Sequence, residues 1–258
     1  MSRIIACYKW VADEADMKIN PDMSVDLSKA KGKISDYDKN VIEAAVQMAK
    51  ISGDLAVTLT FGSPKAKLSL KDALSRGPAE GFWVNSEMAE QADGAASAKV
   101  LAAAIDKIGD YKLIICGEGA SDTFARQVGP SIAARLGIPC VSSAIKMELS
   151  GNEVKVSRKL EDGIEIVAAQ LPAVVCILPE INRPPIPGLK AVLDAGKKPT
   201  REYKIEELGL LDSDLGARNE TIEFKAYVMN RKNIVLDGET AVDKVQALVG
   251  SLKKEGII

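Results

Sequence analysis

The chain has 258 residues, 47% hydrophobic and 27% charged, a globular composition long enough for one large α/β domain with appendages. Its net charge of −2 argues against a nucleic-acid or anionic-membrane surface, and no apolar run approaches the ~20 residues that span a bilayer. The absence of histidine excludes Ser-His-Asp and Cys-His catalysis, His-ligated metals and His general bases together.

The start, Met1 to Cys7, is too short and too strand-like for a signal peptide, which points to a cytoplasmic protein. Ile4 to Tyr8 reads as the first strand. Asp38 to Lys50 has apolar residues at helical spacing, with Asp38 as N-cap. Leu55 to Phe61 is a second strand, ending at Gly62-Ser63-Pro64. A short helix (Ala66 to Leu74), a short strand (Gly81 to Val84) and an Ala-rich helix (Asp93 to Ile108) follow. Lys112 to Cys116 is the fourth strand, Asp122 to Leu136 its helix, and Pro139 to Ser142 the fifth strand. This alternation predicts a parallel sheet with helices on both faces.

After Ser143 the pattern changes. Ala144 to Leu149, Val154 to Leu160 and Ile164 to Ala169 alternate apolar and polar residues between turn-forming segments, and read as antiparallel hairpins. Leu171 to Leu178 is a fully apolar strand able to rejoin the sheet. Residues 180 to 200, with four prolines, read as loop, 200 to 238 as polar and weakly periodic, and Glu239 to Lys254 as an amphipathic helix. The organisation expected is a nucleotide-binding α/β domain over 1–200, with a hairpin insertion at about 144–170 and a loop at about 180–199. The segment 201–258 would either pack on its own domain or form an arm that reaches a partner chain.

Chemistry concentrates in Gly117-Glu118-Gly119-Ala120-Ser121-Asp122, between strand and helix. Glycines there let backbone N–H groups approach a phosphate, and the positive end of a helix dipole faces it. Asp122 stands where a dinucleotide fingerprint has its third glycine, and the motif follows the fourth strand rather than the first. A nucleotide site and an ordinary tight βα turn both fit the spacing. The four cysteines, Cys7, Cys116, Cys140 and Cys176, lie in or beside apolar runs without a C-x-x-C, and read as buried small hydrophobes, with no metal site. A nucleotide protein without histidine suits a cofactor that does its own chemistry.

Several segments together resemble the β subunit of electron transfer flavoprotein, closest to its Fix or carnitine-type branch. They are CYKWVADEADMKIN, ISDYDKNVIEAAVQMA, DALSRGPAEG, CGEGASDTFARQVGP and VSRKLEDGIEIVAAQLPAVVCI, and the likeness runs from about residue 3 to 210. The resemblance implies an adenine nucleotide alpha-hydrolase-like, Rossmann-like α/β fold. It implies a heterodimer with an α subunit that carries FAD and receives the C-terminal helix. The β subunit would bury AMP, or a second FAD if the protein bifurcates electrons. Partners would be acyl-CoA dehydrogenase-like or other flavin dehydrogenases, with NADH and ferredoxin added in a bifurcating version. NADH oxidation at a bound FAD would be the only enzymatic step, without side-chain catalysis.

Carried over by position, the resemblance lines the adenosine side with Ala6, Cys7, Lys9, Ser35, Asp38, Phe61 and Gly62. The phosphates fall to Gly117, Glu118, Gly119, Ala120, Ser121, Asp122, Ala125, Gln127 and Val128. Arg126 would either pair with a phosphate or stand as a solvated helix residue. Dehydrogenase docking falls to Asn182 to Lys190, with Pro185, Ile186 and Leu189 as a rigid apolar probe. The departures at Ser35-Asp36-Tyr37-Asp38, in the phosphate loop and at Phe61 leave AMP and FAD both open. Two other classes compete: a structural or regulatory nucleotide-binding subunit, and an ATP-pyrophosphatase-like ligase. The ligase would carry Ser-Gly-Gly-x-Asp-Ser near the start, where Cys7-Tyr8-Lys9-Trp10 stands instead.

Overall fold

Ile4 and Ala6 face one side of the first strand, Ile5 and Cys7 the other, and all four are buried. Such a strand needs cover on both sides, and the rest of the chain supplies it. The computed structural model describes residues 1–219, 221–227 and 231–258. They form a larger unit, Met1–Lys18 with Asp26–Glu223, and a smaller one, Ile19–Val25 with Phe224–Ile258.

The larger unit is built on a nine-stranded sheet. Its strands are β1 (Arg3–Cys7), β2 (Leu55–Gly62), β3 (Glu80–Asn85), β4 (Tyr111–Gly117), β5 (Cys140–Ser150), β6 (Glu153–Lys159), β7 (Ile164–Gln170), β8 (Ala173–Ile177) and β9 (Thr200–Lys204). Their order is β7-β6-β5-β8-β4-β1-β2-β3-β9. The ladders from β5 to β9 are parallel; β5, β6 and β7 pair antiparallel at the far edge. This is the α/β, Rossmann-like fold expected.

One face carries α1 (Asp36–Ser52), whose Val41, Ile42, Ala45 and Met48 pack on Ile4, Ala6, Leu113 and Val175. The other carries α3 (Gly94–Ile108) and α4 (Val128–Leu136), packed on Ile5, Val57, Ile114 and Val174. Each fully buried Ile or Val contributes roughly 1.5–3 kcal/mol, so these layers dominate the stability of the unit. The short α2 (Ser69–Ser75) brings Ser69 to Tyr8, whose hydroxyl lies 2.7 Å from Ser69 Oγ. Ser69 already donates to the Ala66 carbonyl, so Tyr8 is the donor, and burial pushes its pKa up.

Several elements differ from the sequence reading. Ser35, not Asp38, is the N-cap of α1, and Asp38 lies inside the first turn. α4 begins at Val128 instead of Asp122. A helix from 122 would place Pro130 in its interior, where the ring collides with the preceding turn; from Val128 the proline falls in the tolerated first turn. Segments 139–142 and 144–149 are one strand, β5, bent at Ser143, where φ is 59°. The 180–200 stretch contains α5 (Leu189–Ala195), begun immediately after Pro187 and Gly188. The polar segment after 200 opens with β9, parallel to β3. Its single deeply buried side chain, Tyr203, stacks on Phe82 with ring centroids 6.0 Å apart. Cys7, Cys116 and Cys176 are buried as expected, but Cys140, at the start of β5, is exposed.

In the smaller unit the main chain of Ser24 bridges to Lys225, and the Ala226 N–H donates to the Met23 carbonyl. Its helix α6 (Ala241–Lys254) is capped by Thr240. The Asp243 N–H donates to Thr240 Oγ1, and Asp243 Oδ2 accepts from the Thr240 N–H. None of the residues of α6 is buried. No helix among the described residues is long and apolar enough to cross a membrane.

Candidate functional site

The strand order reverses at β1, with β2 and β3 on one side and β4 on the other. In open parallel sheets ligands bind outside the carboxyl ends of the strands at such a reversal. Here that crevice lies beyond Cys7 and Gly117, and three segments meet there: residues 8–9, the start of α1, and the loop 117–127.

Hydrogen bonds knit these segments together. The Ser35 N–H donates to the Lys9 carbonyl, and the Lys9 N–H donates to Asp38 Oδ2 at 2.8 Å. Ser35 Oγ, fully buried, accepts from the Ser121 N–H at 3.1 Å. Lys9 Nζ reaches Asp122 Oδ2 at 2.5 Å, closing the crevice with an ion pair. Gly117 has no room for a side chain, because a Cβ there would lie 2.7 Å from Asp38 Oδ1. Asp38 is nearly fully buried, and desolvation pushes its carboxyl up to about 7, with neighbouring Asp122 adding to the rise. The Lys9 N–H and ammonium oppose the shift.

The loop after β4 folds over itself. The Glu118 N–H donates to the Ile177 carbonyl, and its carboxylate accepts from the Ser143 N–H at 2.8 Å. The Phe124 N–H donates to the Ala120 carbonyl. Phe124 and Arg126 have φ of 47° and 57°, a left-handed backbone that side chains other than Gly and Asn seldom adopt. The Phe124 ring lies against Gly119 and within 5.2 Å of the Tyr37 ring, and the Arg126 guanidinium covers Phe124 at 4.8 Å. Arg126 is thus an exposed loop residue stacked on an aromatic ring, outside any helix.

Among the described residues, no protein acceptor receives the N–H groups of Gly119, Ala120, Ala125, Arg126, Val128 or Gly129. This run of unpaired donors ends at the start of α4, a donor set suited to phosphate oxygens. Arg126 supplies positive charge beside it, and that of Lys9 is shared with Asp122. The residues present therefore fit a phosphorylated nucleotide better than an uncharged ligand.

Of the residues expected at the site, Lys9, Ser35, Asp38, Gly117, Gly119, Ser121 and Asp122 converge on the crevice. Ala6 and Cys7 end the strand beneath it, with side chains buried on opposite faces of the sheet. Phe61 and Gly62 lie one strand away. Gly62 is occupied there, its carbonyl accepting from Trp83 Nε1, and Phe61 packs against the α3-side core. Gln127 turns from the crevice toward the start of α3 at Gly94. Pro185 and Ile186 are in the loop as expected, and Leu189 is the first residue of α5; Ile186 is 94% and Leu189 77% exposed. The sequence reading missed the Tyr37–Phe124 pair. Its available signal was two aromatic residues inside otherwise small, polar turn segments.

The sequence model of the family described as electron transfer flavoprotein domain matches residues 22–208. That span holds Ser35, Asp38, the loop after β4 and eight of the nine sheet strands. Most of the chain is thus accounted for by one family, and the chain belongs to the electron transfer flavoprotein domain family.

Proposed function

We propose that this chain is the β subunit of a heterodimeric electron transfer flavoprotein of the Fix or carnitine type. It holds AMP or a second FAD in the crevice at the end of β1 and β4. The observation that carries the reading is the set of unpaired N–H groups of Gly119, Ala120, Ala125, Arg126, Val128 and Gly129 at the strand-order reversal, in a chain of this family. Those N–H groups receive the phosphates, with Lys9 and Arg126 as counter-charges. Tyr37 and Phe124 offer flat apolar surfaces for a ring system. Asp38 and Ser35 fix the crevice floor.

Bound flavin supplies the redox chemistry. The protein's own part is to bind, orient and shield the cofactor and to dock other carriers. No side chain serves as acid, base or nucleophile. The reading assigns the exposed Val242, Val245 and Leu248 of α6 to the α subunit, and Ile186 with Leu189 to acyl-CoA dehydrogenase-like partners, in the cytoplasm. If a second FAD occupies the crevice, NADH is the donor and ferredoxin one acceptor, and the protein bifurcates electrons.

The test is a cofactor count on the complex purified with its α subunit and then denatured. Two FAD per heterodimer identify the bifurcating form, and one FAD with one AMP identifies the simple carrier. A folded heterodimer without either nucleotide would sink the proposal.

A further inference from the structure

Three buried thiols lie side by side across the face of the sheet that carries α3 and α4. Cys116 and Cys176 are register partners in β4 and β8, and Cys7 ends the adjoining β1. The fourth, Cys140, pairs with Val174 in the β5–β8 ladder, and its side chain therefore shares this face with Cys176 two residues along. Cys140 is exposed, whereas Cys176 is 2% exposed. The pair thus joins a solvent-accessible sulfur to a sheltered one.

We propose that Cys140 and Cys176 form a peroxide-sensitive dithiol, oxidised to an intramolecular disulfide between β5 and β8. Cys140 is the accessible sulfur and Cys176 the resolving one. The two are diagonal neighbours on one face of adjacent strands. Diagonal neighbours on adjacent strands lie about 7–8 Å apart at Cα, slightly beyond the ~4.4–6.8 Å that a disulfide spans. Closure therefore needs a backbone shift of about 1 Å.

The slack for that shift is at this place. The β5–β8 register is regular at Val174 and Val175 and breaks before Ile177, so Cys176 sits at the irregularity. Opposite it β5 bends at Ser143 in the left-handed conformation. The same bend carries the Ser143 N–H that holds Glu118, tying the dithiol to the glycine-bearing loop.

The surroundings of the two thiols favour the assignment of roles. Arg158 is held over the start of β5 by bonds from Nε to the Ser142 carbonyl and from Nη2 to Ser142 Oγ. The hydrogen bond from Cys176 draws the Cys140 thiol below its usual value against burial and the Glu118 charge, with a smaller contribution from Arg158. The hydrogen bond and burial push Cys176 up. A thiolate is the form that attacks peroxide.

The step balances. Cys140 sulfur attacks one oxygen of hydrogen peroxide, the O–O bond breaks, and the departing hydroxide takes a proton to leave as water. Cys176 sulfur then attacks the Cys140 sulfenic acid. The S–O bond breaks, and a second water leaves with the Cys176 proton. Two thiols lose two electrons and two protons, and one peroxide becomes two waters.

The experiment treats the full chain with hydrogen peroxide, counts free thiols after denaturation and maps tryptic peptides without reduction. The count is expected to fall from four to two, with Leu136–Lys146 joined to Leu160–Lys190 in a monomer. Cys140→Ser should keep its three thiols under the same dose. Cys176→Ala should form no internal bridge and should accumulate a Cys140 sulfenic acid that dimedone traps. Four surviving thiols, a Cys140–Cys140 link between two chains, or a bridge among Cys7, Cys116 and Cys176 would each overturn the proposal.

Discussion

Replacing Asp38 with Asn should change how stability depends on pH, because the folded chain holds this carboxyl near 7 and the unfolded chain near 3.8. A carboxyl raised on folding stabilises the folded state fully below its unfolded value. That contribution is lost as pH rises toward the folded value. The loss is about 1.4 kcal/mol for each pH unit in that interval, and about 4 kcal/mol in total by pH 8. Asn cannot ionise, and its side-chain oxygen can still accept from the Lys9 N–H. Its amide would lie near the Gly119 carbonyl, which shares the space beside Gly117 with Asp38 Oδ1. Urea titrations of both proteins at pH 5, 6, 7 and 8 give the difference in unfolding free energy. That difference should move in favour of Asp38→Asn by roughly 2 kcal/mol between pH 5 and 7, then level off. Any constant effect of the substitution cancels. Parallel stability curves for the two proteins across this range would refute the buried, proton-holding Asp38.

Gly129→Ala would place a Cβ 2.3 Å from Cys176 Sγ and 3.3 Å from Cys116 Cβ, so α4 must lift from the sheet. A loss of about 1–3 kcal/mol is expected, measured by urea or thermal unfolding. Asn40 donates to the Pro179 and Asn182 carbonyls, while Asn182 Nδ2 donates to the Asn40 carbonyl. Asn40→Ala should release the 179–188 segment, read as faster tryptic cleavage at Lys190, with about 1–3 kcal/mol lost overall. Leu189→Ala, at an exposed position, should leave the unfolding free energy within about 0.5 kcal/mol of the parent. The same variant should slow electron exchange with a flavin dehydrogenase at least several-fold in a stopped-flow assay; an unchanged rate would remove Leu189 from the docking surface.

The central strands were legible because their side chains are apolar on both faces, and only parallel strands between helix layers bury both. Ile4 to Cys7 and Leu113 to Cys116 are of this kind. The glycine-bearing loop was legible as a turn because its glycines directly follow such a strand, while its spacing alone did not separate a nucleotide site from an ordinary βα turn. Other features depended on contacts distant in sequence. β9 has one buried side chain among five residues, and Tyr203 finds its place only against Phe82. Asp38 has the composition of a helix cap, but the Lys9 N–H claims its carboxylate and Ser35 takes the cap position. The start of α4 could have been read locally, since Pro130 sets a limit on how far upstream the helix extends.

The strand order has a consequence for synthesis on the ribosome. By residue 117 the chain holds β4-β1-β2-β3, four adjacent parallel strands that can pair as soon as they emerge. β5 cannot join them when it appears, because its only parallel neighbour, β8, has yet to be made. For some thirty residues β5 can pair only with its own hairpin, with Val141 and Met147 lacking their final cover. At ~5–20 residues per second that interval lasts a few seconds, during which the β5 edge is open to wrong partners. Slow translation through residues 150–177 would lengthen this exposure and raise the aggregated fraction of nascent chains, whereas slowing before residue 117 would not.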